Sequence, residues 1–194
     1  MKKHLLHLIT LLLLTLLIQG CFEAALTGGA LVGGITVLDK RPGSVILDDQ
    51  NISHQIQKKI VDDKSLNQSS HIVVATFNHN VLLAGQAPNK QLKDQAYLIA
   101  RSTSKVKNIF NEIAIAAPTS ALKRSSDSWI TTKAKTQMLA TKYLHSGQIK
   151  VVTEDGTLYL MGIVNRKQGD LATQVVREIA GVQKVVKLFE YTQS

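Results

Sequence analysis

The sequence predicts an α+β fold made of two tandem copies of one small unit, each with two helices packed on a small mixed three-stranded sheet, behind an N-terminal export segment. Three observations carry this reading. The stretch HIVVATFNHNVLLAG (71–85) aligns without a gap on QIKVVTEDGTLYLMG (148–162), 77 residues later. Within each copy, segments with a helical apolar period alternate with short β-branched runs bounded by turn residues. The chain of 194 residues is 44% hydrophobic and 19% charged, which suits one ordinary or two small cores and excludes wholesale disorder.

Taken in order, residues 1–20 begin with Lys2 and Lys3 and continue as an apolar run over 5–18, broken by His7, Thr10 and Thr15. That layout is a secretory signal, and the run is too short for a comfortable membrane span. Residues 21–47 read as a linker whose glycine-rich stretch, 27–34, is a loose spacer. No Gly-Lys-Ser/Thr follows it, so it is not a phosphate-cradling loop. The first unit, 48–117, has a helix over 51–61, hairpin strands over 71–76 and 80–86, a helix over 90–103 and a strand over 107–115. Asp48 and Asp49 suit the positive end of the first helix, and Asp62 and Asp63 face solvent. A second linker covers 118–126. In the second unit, 127–194, Asp127 caps a helix over 129–145 that buries Ile130, Ala134, Met138, Thr141 and Leu144. Strands over 148–153 and 157–164 flank Glu154-Asp155-Gly156, an Asp-Gly hairpin signal. A helix over 167–180 follows, Gly181 supplies a left-handed stop, and 184–191 closes as a strand. After a one-residue gap the copies align at a separation of 76, pairing Ala96 with Ala172, Arg101 with Arg177 and Val106 with Val182.

The tetrad IQGC at 18–21 resembles the lipobox of bacterial lipoproteins, which implies cleavage before Cys21 and acylation of it. A thiolate is the best nucleophile available for taking up a diacylglyceryl group, and several acyl chains hold a bilayer far better than one. Phe22 stands where the resembled sorting rule uses Asp to retain lipoproteins at the inner membrane, so the periplasmic face of the outer membrane is the expected location. The α-β-β-α-β plan, Gly85 and Gly162 closing the second hairpin strand, Gly181-Val182 before the last strand, and DSWITTK (127–133) resemble BON domains. With the lipobox, the chain is similar to the dual-BON outer-membrane lipoproteins over nearly all of its mature length, including Asp39-Lys-Arg, Asp48-Asp-Gln and Asn111-Glu-Ile. It departs from the pattern at Ser104-Lys105-Val106, where the second unit has Ala180-Gly181-Val182; the missing turn glycine marks the first unit as the more degenerate. The resemblance implies binding of anionic phospholipids, such as phosphatidylglycerol or cardiolipin, by the second BON domain and support of outer-membrane integrity. The alternative is an adaptor that docks envelope assembly, protease or peptidoglycan-remodelling factors.

The charge pattern and one helix face point the same way. From Cys21 onward there are 21 basic and 14 acidic residues, and residues 118–194 hold eleven and six of them, a local excess of +5. On a membrane-tethered protein this favours anionic headgroups, whereas export disfavours nucleic acid. At 100° per residue, the core stripe of the 129–145 helix centres about 110° from Trp129, and Lys133, Ala140 and Tyr143 fall within about 40° of it. Trp129, Lys133 and Tyr143 are therefore the expected phospholipid contacts, since Trp and Tyr favour headgroup depth and lysine reaches phosphate. The alternative is that Trp129 packs against the first unit or the linker. Catalysis has little support. His54, His71, His79 and His145 form no metal-ligand spacing, and no Gly-x-Ser-x-Gly elbow occurs, so neither enzyme, metal nor cofactor is expected.

Overall fold

Asparagine caps open the crossover helices of both repeats. The computed structural model describes residues 39–192; the export segment, Cys21 and the glycine-rich spacer lie outside the described residues. The first repeat runs α1 (Gly43–Asp62), α2 (Lys64–Ser69), β1 (His71–Phe77), β2 (Asn80–Ala87), α3 (Lys90–Arg101) and β3 (Asn108–Ile115). The second runs α4 (Ala121–Ala140), a single 3-10 turn (Ser146–Gln148), β4 (Ile149–Glu154), β5 (Thr157–Val164), α5 (Arg166–Arg177) and β6 (Lys184–Tyr191). In each repeat the hairpin strands pair antiparallel and the return strand pairs parallel with the second of them, giving the orders β1-β2-β3 and β4-β5-β6. A parallel return requires a crossover, which α3 and α5 supply. Their N-caps correspond: Asn89 Oδ1 accepts from Leu92 N at 2.9 Å and Asn165 Oδ1 from Gln168 N at 2.9 Å.

The short helix α2 was not expected, the crossover helices end two to three residues early, and the long helices differ from the sequence expectation at three boundaries. The first long helix starts at Gly43, inside the segment read as linker, because Arg41 fastens the chain just ahead of it: Nη1 donates to Asp49 Oδ2 at 2.5 Å and the guanidinium lies 3.6 Å from the Phe77 ring centroid. The second starts at Ala121, so most of the 118–126 linker is helical. Its cap is Ser120, whose Oγ accepts from Lys123 N at 3.3 Å, and not Asp127. It also stops at Ala140, where Thr141 adopts extended backbone angles. Tyr143 thus lies beyond the helix, at φ 66°, and Leu144 turns into the core by a route other than the helix face.

The inner stripes of the long helices are the same positions 78 residues apart: Asp49, Ile52, Ile56 and Ile60 in α1, Asp127, Ile130, Ala134 and Met138 in α4. Each stripe packs on one face of its own sheet. The other faces of the two sheets meet each other through Ala75, Phe77, Leu82, Ala84, Tyr159 and Met161, flanked by Phe110, Val152, Ile163, Val186 and Leu188. The layers therefore run helices, sheet, sheet, helices. This explains why β2 is buried along its whole length and β5 nearly so, a pattern seen in strands covered on both faces. Burial there, with Glu112 and Glu154 nearby, pushes the Tyr159 hydroxyl up to about 12.

Two carboxylates of the second repeat cross to the first. Buried Glu154 accepts from Gln86 Nε2 at 3.0 Å, sits 3.4 Å from His71 Nε2, and is linked onward by Gln86 Oε1, which accepts from Thr119 N. Glu190 accepts from Asn80 Nδ2 at 2.7 Å and from Asn78 Nδ2 at 2.9 Å. Of Asp62 and Asp63, only Asp62 faces solvent as expected. Asp63 caps α2, accepting from Ser65 and Leu66, and the Ser65 hydroxyl and Leu66 amide hold its carboxyl below the usual carboxylate range. Asp62 pairs with Lys58 at 2.5 Å.

Candidate functional site

Helix α4 exposes a long amphipathic face opposite its core stripe. Trp129 is 54% exposed and belongs to none of the three buried clusters, so it does not pack between the repeats. Lys133, one turn later, places its ammonium 4.7 Å from the Trp129 ring centroid, a cation–π contact that holds the charge over the ring. Leu122 and Leu139 are 82% and 64% exposed. At 100° per residue Leu122 lies about 20° from Trp129 and Leu139 about 80° from it on the side away from Ile130 and Ala134.

The polar residues on this face are largely turned back on the helix. Ser128 Oγ donates to Arg124 O at 3.0 Å, Thr132 Oγ1 to Ser128 O at 3.0 Å and Thr136 Oγ1 to Thr132 O at 3.0 Å. These hydroxyl protons are thus used on backbone carbonyls of the same helix. The helix has one acid, Asp127, and it is 3% exposed with both oxygens occupied by the amides of Asp155 and Gly156. Lys133 and Lys135 have no carboxylate partner among the described residues. Apolar side chains and unneutralised lysines on one helix face can enter the headgroup layer of a bilayer and contact phosphate there.

Tyr143 reaches solvent by another route than the helical wheel gives it. It is 76% exposed, Lys142 Nζ lies 4.9 Å from its ring centroid, and its carbonyl accepts from Gln168 Nε2 at 2.8 Å. The structure thus brings Trp129 and Lys133 together and sets Tyr143 apart, past the helix end. Leu122 and Leu139 are the face residues that sequence reasoning missed; Leu122 becomes legible once the helix is extended upstream, two turns before Trp129, and Leu139 lay within the expected helix but about 80° from Trp129. No described helix is long and apolar enough to cross a membrane, and Cys21 is outside the described residues.

The first repeat offers a comparison within the same chain. The positions of Trp129, Lys133 and Thr136 correspond, 78 residues earlier, to Asn51, Gln55 and Lys58, and Lys58 is already paired with Asp62. The first repeat thus has amides where the second has the Trp129–Lys133 pair, although Leu47 and Val61 are exposed on α1 as Leu122 and Leu139 are on α4.

Comparison with known proteins follows the same division of the chain. The BON domain family matches residues 48–117 and 126–193. The chain is 31% identical over 177 residues, 91% of each protein, to the outer membrane lipoprotein DolP of Haemophilus influenzae. It is 33% identical to a 21 kDa hemolysin of Actinobacillus pleuropneumoniae, covering 80% of each. Against the osmotically-inducible protein Y of Escherichia coli it is 26% identical over 72% of this chain and 70% of that one. The repeated α-β-β-α-β fold, the two matched segments and the extent of these likenesses establish that the chain belongs to the BON family, as a dual-BON envelope lipoprotein of the DolP type.

Proposed function

We propose that the second BON repeat docks on anionic phospholipid through the face of α4 built by Leu122, Trp129, Lys133 and Leu139, while acyl chains on Cys21 hold the protein at the periplasmic face of the outer membrane and the pair supports envelope integrity. The observation that carries this reading is the exposed Trp129 with Lys133 over its ring, on a helix face free of solvent-facing carboxylates. The first repeat has Asn51 and Gln55 where the second has Trp129 and Lys133, which favours assigning the contact to the second. Tyr143 is an ancillary contact, exposed and next to Lys142 but beyond the helix.

Trp129→Ala is expected to weaken partitioning onto phosphatidylglycerol or cardiolipin vesicles by about tenfold, with the melting temperature unchanged, because the ring has no core contacts to lose. Lys133→Glu weakens it further at low salt than at high, since exposed charges are screened beyond about 10 Å at 0.1 M salt. Tryptophan fluorescence reads the contact directly: a blue shift on adding anionic vesicles accompanies insertion, and an unchanged spectrum removes Trp129 from the lipid site. The anchor has its own test. Cys21→Ser should abolish incorporation of a palmitate analogue and leave the export segment uncleaved, as serine offers no thiolate for acyl transfer; equal labelling of both proteins would remove the anchor.

A further inference from the structure

In the first repeat, between the C-terminal half of α3 and the start of β3, lies an open groove of about 660 Å³ lined by Tyr97, Arg101, Val106, Lys107, Ile109 and Phe110. Among the described residues its cations lack counterions. Arg101 Nη1 contacts the Tyr97 hydroxyl at 3.5 Å and no carboxylate, and Lys107 pairs with no carboxylate among the described residues. Lys105 nearby is already neutralised by Asp48 at 2.7 Å, and no acid lines the groove.

The second repeat differs at the same place. Seventy-six residues on, Arg177 is paired with Glu178 at 3.1 Å, Thr173 replaces Tyr97, and Gln183 replaces Lys107. The Gln183 side chain is folded against Gly156, where a Cβ would stand 2.9 Å from it. In the first repeat, Ser102 stands at the position of Glu178 and its hydroxyl donates to Ile99 O. One copy therefore pairs with a carboxylate the arginine that the other leaves without one.

The groove follows the free edge of β3, which pairs with β2 alone. Farther along that edge Ile113 is closed off: its carbonyl accepts from Lys93 Nζ at 2.6 Å and its amide donates to Asn111 Oδ1 at 3.4 Å. Backbone groups two residues apart point to the same side of a strand, so the amide of Ile109 also faces outward, into the groove and without such a closure.

We propose that this groove is a phosphate site, taking a phosphoryl group from either a lipid headgroup or a soluble phosphate ester. Arg101 offers a planar fork to two phosphate oxygens, Lys107 a point charge, and the Ile109 amide a neutral donor. The site is independent of the α4 face: it lies in the other repeat and shares no residue with it.

The full acylated chain in maltoside micelles, titrated with glycerol phosphate and followed by amide chemical shifts, tests this. Glycerol phosphate should shift the amides of 107–110, and the double variant Arg101→Gln with Lys107→Gln should weaken that binding by about tenfold or more without altering the melting temperature. Trp129→Ala should leave it unchanged. Nanodiscs containing phosphatidylglycerol then separate the sources: shifts at the same amides assign a headgroup, and their absence, with glycerol phosphate still binding, assigns a soluble ester. Silence of these amides to both ligands, or shifts that persist in the double variant, overturns the proposal.

Discussion

Gly85→Ala should destabilise the protein by about 3 to 5 kcal/mol, lowering the melting temperature by about 10 °C or more. Two separate effects add at this position. Its φ of +120° belongs to backbone that L residues rarely adopt, and a Cβ built there would stand 2.0 Å from the carbonyl oxygen of His71, the neighbouring strand's own backbone. Backbone cannot swing aside as a side chain can. The β1–β2 ladder would have to open at the Ile72–Gly85 pair, above the isoleucines of α1. Gly162, at the same place in the second repeat, meets Gln148 O at 2.6 Å but carries no left-handed φ. Gly162→Ala is therefore expected to cost less than Gly85→Ala. Equal losses, measured by chemical denaturation, would mean that collision alone sets the requirement.

Asp127→Ala is the second large effect, expected at about 2 to 4 kcal/mol. Its carboxylate sits on the helix stripe facing the core and receives the amides of Asp155 at 2.9 Å and Gly156 at 3.0 Å, the two residues at the tip of the β4–β5 hairpin. Removing it leaves two donors without an acceptor in a water-poor place. The first repeat builds the same clamp: Asp49 receives Asn78 N and His79 N, each at 2.8 Å. Asp127→Asn keeps one acceptor and should lose about half as much. Denaturation of Asp127→Ala, Asp127→Asn and Asp49→Ala gives the ranking, and a neutral Asp127→Ala would show the hairpin turn standing without its clamp.

The strands and the helix crossovers were legible because alternation and turn residues are local signals, and because each appears twice. The long helices were legible only in part. Gly43-Ser44 is a poor helix start, and Arg41 fixes it by contacts with Asp49 and Phe77 that sequence spacing does not display. Asp127 carried the signature of a cap, yet its partners are a hairpin 28 residues on; the matching aspartate at position 49 was the available clue. The turn glycine missing from the first repeat proved less of a loss than its absence suggested. Lys105 takes the left-handed backbone that Gly181 has in the second, at φ 65° against 95°, and uses its side chain to bind Asp48. Of the candidate site, Trp129 and Lys133 came from periodicity, while Tyr143 was displaced because Thr141 ends the helix.

The sheet-to-sheet contact also bears on the order of events in synthesis. Phe77, Leu82 and Ala84 emerge from the ribosome about 77 residues ahead of Tyr159 and Met161, which cover them. Until β5 arrives, a folded first repeat presents a bare apolar sheet, the kind of surface that invites pairing with another nascent chain or with a chaperone. Neither repeat can be cut free without uncovering that surface. Melting of the mature protein should therefore be a single cooperative event, and the inheritance of the two repeats a joint one.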